Sequence, residues 1–227
     1  MKNKYLKGAH LSERKFKEIL RLFAEDLTAT QIASISGVSR VTVNSYLKKI
    51  RQQIARHCES LLPADYKGRP QVIDQTVHHP QDTSVSVKTD VSRNIKPVVF
   101  GIYRSSNRLH TEILPDVSRS MIHSAVRSSR SILETQNVAE KMRRFSNVAD
   151  LGQYRLYNLE NEGTIARADD IDAFWGLTKH RLAKFKGLNR STVYLHLKEC
   201  EFRYNNRNED IYETLLELLQ SQPLSLS

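Results

Sequence analysis

Thr28-Ala29-Thr30-Gln31-Ile32-Ala33-Ser34-Ile35-Ser36-Gly37-Val38-Ser39-Arg40 is the stretch on which the fold turns. Ile32, Ala33 and Ile35 belong to a short helix that stops at Gly37, a residue free to take the left-handed geometry of a sharp turn. Ser39 is placed to cap a second helix, in which Val43, Leu47 and Ile50 recur as a buried stripe. Upstream, Phe16, Ile19, Leu20 and Phe23 follow helical spacing, and Ser12 is a fitting cap for that helix. Helices joined by a glycine turn, the second opening on Ser-Arg, predict a helix-turn-helix over residues 1–62.

In that motif the second helix enters the major groove of double-stranded DNA, and its early residues meet base edges. The residues expected there are Arg40, Val41, Asn44 and Ser45, with Lys48, Lys49 and Arg51 on phosphates. Arg grips guanine and Asn grips adenine through paired hydrogen bonds, and valine suits a thymine methyl. Charge agrees. Residues 1–70 hold 14 Lys or Arg against 6 Asp or Glu, whereas residues 71–227 hold 21 against 19. A basic field concentrated in the first third attracts a polyanion. The alternative is a small helical bundle that binds protein.

The rest of the chain limits the remaining classes. Hydrophobic residues make up 39%, enough for a packed core. No apolar run approaches the roughly 20 residues that span a bilayer, and the first residues lack a secretory pattern, so no membrane partner is expected. Two cysteines, Cys58 and Cys200, are too few for a disulfide framework and imply a reducing, cytoplasmic setting. His78-His79 has no spaced partner and reads as a solvated loop.

Residues 63–96 form a polar connection containing Gln71-Val72-Ile73-Asp74, a short strand ending in an acid. Val98–Tyr103 and His110–Leu114 then read as a hairpin around Ser105-Ser106-Asn107-Arg108. A helix is expected from Ser118 to about Arg130, with strands at residues 131–133 and 154–157. The end is helical. Ile171, Phe174, Trp175, Leu182 and Phe185 form one face, and Val193, Leu197, Cys200 and Tyr204 form another. A last helix spans about Asp210–Leu219. Cys200 reads as a core thiol. This order predicts one mixed α/β domain over residues 97–227, carrying C-terminal helices.

The run Phe174-Trp175-Gly176 … Lys184-Phe185-Lys186-Gly187 … Leu195-His196-Leu197-Lys198-Glu199-Cys200-Glu201-Phe202-Arg203-Tyr204-Asn205 resembles bacterial insertion-sequence transposases of the DDE class, ISXO type. Val99-Phe100-Gly101, Pro115-Asp116-Val117 and Val43-Asn44-Ser45-Tyr46-Leu47 extend the resemblance. It implies a ribonuclease-H-like α/β domain behind the helix-turn-helix, and DNA cleavage and joining by carboxylate-held Mg²⁺ or Mn²⁺. Asp74 matches the first catalytic acid, Glu140 aligns best with the second, and Asp169 and Asp172 fall on the family's Asn-x-x-Glu. Gln75-Thr76-Val77 departs from the pattern after the first acid. Moving a carboxylate by one methylene misplaces it for an octahedral Mg²⁺ site, so the resemblance implies DNA binding with impaired catalysis. An active transposase is the alternative. A nucleoid-associated protein is expected, and a homo-oligomer is left open.

Overall fold

The structure, a computed structural model, describes residues 4–7, 11–63, 98–114, 117, 119–127, 145–159, 168–184 and 190–225. The strands expected at residues 71–74 and 131–133 therefore lie outside the described residues, as do Asp74 and Glu140.

Three helices open the chain. Helix α1 (Glu13–Ala24) starts where the Ser12 hydroxyl accepts from Lys15 N, and it buries Phe16, Ile19, Leu20 and Phe23. Helix α2 (Ala29–Ser36) starts in a capping box in which Thr28 and Gln31 satisfy each other's free amide groups. It ends at Gly37, whose φ of 69° is the left-handed geometry expected of that glycine. Ser39 caps α3 (Arg40–Ser60) through Thr42 N at 3.1 Å. Val43, Tyr46, Leu47, Ile50 and Ile54 close the core between these helices.

A four-stranded sheet follows, entirely antiparallel, in the order β3-β2-β4-β5. Its strands are β2 (Val99–Ser105), β3 (Arg108–Ile113), β4 (Asn147–Asp150) and β5 (Arg155–Asn158). Ser106 and Asn107 both have positive φ, as a two-residue hairpin between right-twisted strands requires. Strand β4 had no counterpart in the sequence reading. Side chains alternate along β2: Phe100 and Ile102 face one side, Val99 and Tyr103 the other. The first side is covered by α5 (Ala168–Ala183) and α6 (Arg190–Asn205) through Ile171, Phe174, Trp175, Leu197, Cys200 and Tyr204. The second is covered by Ile122 of α4 (Arg119–Arg127), Phe145 and Leu159. Gly101 lies directly beneath the Phe145 ring, where a Cβ would overlap it.

The last helix, α7 (Ile211–Ser221), is capped by Asp210. It packs Leu215, Leu218 and Leu219 into the core of α1–α3. A short parallel pairing of β1 (Leu6–Lys7) with β6 (Leu224–Ser225) joins the same unit. That core therefore crosses the boundaries expected at residues 62 and 97.

Helix α6 is buried on nearly every side, although its sequence carries a charge at almost every other position from Lys198 to Arg203. Each charge has a partner. Toward the sheet, Lys198 Nζ donates to Thr111 O (2.8 Å) and to Glu201 Oε2 (2.8 Å), which also accepts from Thr111 N (3.0 Å). Asn205 brackets the next outward-facing residue, donating to Leu109 O (2.8 Å) and accepting from Leu109 N (2.9 Å). Side chains of α6 thus satisfy the outer edge of β3 in place of another strand, and the edge is closed to other chains.

Candidate DNA interface

Helix α3 offers two unlike halves. In its first half Arg40, Val41, Asn44, Ser45 and Lys48 are exposed, Val41 at 81%, and Lys49 is half-buried. At 1.5 Å per residue, Arg40 to Lys48 covers about 12 Å, close to the width of the major groove. The Ser39 cap and the Gly37 turn set the entry of this half. Lys15 of α1 donates to Ser36 O (2.9 Å) and pairs with Glu18 (2.7 Å), bracing the end of α2. Ile35 on α2 is 57% exposed, so it flanks the same turn instead of filling the core.

Arg51 stands apart from the other expected DNA contacts. Seven residues bring a helix back to within about 20° of its starting direction, so Arg51 points almost as Asn44 does. By that level, however, α6 covers the helix. Arg51 Nε lies 2.7 Å from Glu199 Oε2, and the guanidinium stacks over Phe23. Its side chain is 12% exposed and is committed to the interior.

Glu199 is the centre of that interior group. Arg181 Nη2 (2.7 Å) and Arg203 Nε (3.0 Å) converge on its other oxygen. Arg203 also donates to Phe23 O (2.5 Å) and Ala24 O (2.7 Å), at the end of α1. From the loop between α1 and α2, Asp26 holds Arg181 of α5 and, at 2.9 Å, Lys184 just past its end. Burial alone would raise the Glu199 pKa; the three guanidinium groups overcome it and hold the carboxyl far below the usual range. Burial and the nearby Arg51 charge push the His196 imidazole down to about 3, so it stays neutral beside this group. One helix, α6, therefore ties α3 to α5, and through Glu201 and Lys198 to the sheet.

The remaining candidates are dispersed. Asp172 is exposed on α5. Asp169 lies on the same helix three residues earlier, and nothing further of its side chain is described. The neighbouring Asp170 is taken up by Arg104 (2.8 Å) and Tyr204 Oη (3.2 Å). Asp150, an acid that the sequence reading passed over, ends β4 fully buried. It accepts from Arg119 Nε (2.7 Å) and Gly152 N (2.7 Å). The Asp-Leu-Gly sequence was the signal available for that turn. Among the described residues no three His, Cys, Asp or Glu side chains converge to hold a metal ion. The ligand set implied for Mg²⁺ or Mn²⁺ depends on Asp74 and Glu140, so the described acids do not form a site by themselves. Cys58 and Cys200 are both buried, and burial raises both thiols, Cys200 to about 11, which makes them poor nucleophiles.

A family model described as bacterial regulatory proteins, luxR family, matches residues 9–59. The match covers α1, α2 and α3, so this unit is a helix-turn-helix module of the DNA-binding kind. An uncharacterized transposase-like protein of Haemophilus influenzae is 26% identical over 106 residues, 44% of this chain and 82% of that protein. No solved structure matches the chain significantly. Among the described residues no helix is long and apolar enough to cross a membrane.

Proposed function

We propose that this chain is a sequence-specific DNA-binding protein of transposase descent, in which duplex recognition is retained and catalysis is impaired. The observation that carries the reading is the exposed first half of α3. Two base-gripping side chains, Arg40 and Asn44, stand there beside unburied Lys48, on a helix braced by a cap, a glycine turn and a buried ion group. Descent rests on the likeness to the transposase-like protein together with the sequence resemblance. Impairment rests on the altered carboxylate lengths at Glu140 and Asp172. A ribonuclease-H-like arrangement completed by residues 71–74 belongs to the same proposal. The second reading, an active DDE transposase of an insertion sequence, is favoured by that same likeness.

Titration of the full chain with duplex DNA across a salt series tests binding, because counterion release makes phosphate-driven affinity fall steeply with salt. Arg40→Ala or Asn44→Ala is expected to cost about 1–3 kcal/mol and to relax base preference, whereas Lys48→Ala weakens all sequences alike. Salt-independent affinity would refute the reading. Efficient nicking of a supercoiled plasmid with Mg²⁺ or Mn²⁺, abolished by Asp74→Ala, would establish the second reading instead.

A further inference from the structure

Helix α2 ends at Ser36, and Arg40 opens the exposed half of α3 only three residues further on. The last carbonyls of a helix have no partner within it, and how they are satisfied sets the path of the chain that leaves. Here the Ser36 carbonyl accepts from Lys15 Nζ of α1 (2.9 Å), while the buried Ser36 hydroxyl accepts from Val38 N (3.3 Å). Gly37, at φ 69°, and the Ser39 cap shape the same turn from within it. Of these ties, Lys15 is the one that comes from another helix. That helix is itself held. About 12 Å along α1, Arg203 of α6 donates to Phe23 O and Ala24 O. Next to Lys15, the Phe16 ring lies 6.0 Å from that of Tyr46 on α3. Glu18 Oε2, 2.7 Å from the Lys15 ammonium, keeps it on the inner side of this contact. Lys15 is therefore a cation with two protein partners on a braced helix.

We infer that Lys15 is a positioning residue for base reading: by holding Ser36 O it fixes the angle at which α3 leaves the turn, and so where Arg40 and Asn44 meet the bases. The inference rests on the DNA-binding reading above and assigns a specificity role to a residue of α1 that acts without contacting a base. Paired hydrogen bonds to a base need the side chain placed within about 0.5 Å, whereas a phosphate accepts a lysine as a point charge. A loosened turn therefore costs discrimination before it costs general affinity.

Two probes are used: a duplex selected by the full parent chain from a random pool, and the same duplex changed at the base pair whose preference Arg40→Ala relaxes. The readout is the ratio of the two affinities. Lys15→Met/Glu18→Gln removes the tie and leaves the net charge unaltered. Its ratio is expected to fall about tenfold, while the slope of log affinity against log salt stays that of the parent. A partly unfolded variant loses affinity for both duplexes by one factor, so the ratio does not respond to stability. Glu18→Gln alone keeps the bond to Ser36 O and should keep the parent ratio. A double-variant ratio within about twofold of the parent's would overturn the inference. An equal loss in Glu18→Gln would overturn it as well, by assigning the effect to Glu18. So would a slope lower by about one unit with the ratio kept, because Lys15 would then be a phosphate contact. In these three cases the helix-turn-helix reading stands. If Arg40→Ala relaxes no position, the base-reading assignment itself fails and the inference falls with it.

Discussion

Glu199→Gln at neutral pH keeps the size of the side chain and removes the one negative charge on which Arg51, Arg181 and Arg203 converge. Part of the group survives. Arg203 retains Phe23 O and Ala24 O, and Arg181 retains Asp26. What is lost is the compensation for burying three guanidinium groups, and removing one partner from a buried ion pair costs about 3–5 kcal/mol. Whole-domain stabilities run to about 5–15 kcal/mol, so the change takes a large share of the total. At this chain length about 2–4 °C of Tm accompanies each kcal/mol, and a fall of about 10 °C is expected. Thermal and denaturant unfolding followed by circular dichroism measures it.

The pH dependence sharpens the test. The Glu199 pKa is lowered by folding, so its contribution is fully present above the unfolded value of 4.5 and is lost as pH falls toward the folded value. Parent and variant should differ most at neutral pH, and the gap should narrow steadily below about pH 4.5. Glu201, held down to about 2 by Lys198, His110 and Thr111 against the effect of burial, titrates in both proteins and does not affect the comparison. A loss under about 1 kcal/mol at pH 7, or a gap that ignores acid, would mean that α6 does not hold α3 through this carboxylate.

Two further outcomes concern glycines. Gly101→Ala drives a Cβ into the Phe145 ring beneath α4, and overpacking of that kind is expected to lower stability by about 1–3 kcal/mol in denaturant unfolding. Gly37→Ala meets no neighbour at all; its cost, about 1–2 kcal/mol, is the left-handed φ of 69° alone, and it should appear both in unfolding and as weakened DNA binding.

Local patterns in the sequence determined the helix-turn-helix. Caps, a turn glycine and a three-to-four-residue apolar period act within a few residues of one another, so Ser12, Ser39, Gly37 and the Val43–Leu47–Ile50 stripe could be placed without knowing what lies around them. The β2–β3 hairpin and the last helix, from about Asp210, were legible for the same reason. Tertiary structure decided whatever depends on a distant neighbour. Arg51 shares its direction with Asn44, and no property of α3 separates the two; only α6, about 150 residues later, turns one inward and leaves the other exposed. The charged run from Lys198 to Arg203 has the composition of a solvated face, yet it is buried, because the β3 edge, Arg51 and Arg181 from other elements satisfy it. Asp150 likewise reads as a loop acid until Arg119 and the turn amides close on it. A charge is stable in the interior only when its partners arrive from elsewhere in the chain, and that meeting is a property of the fold, not of the local sequence.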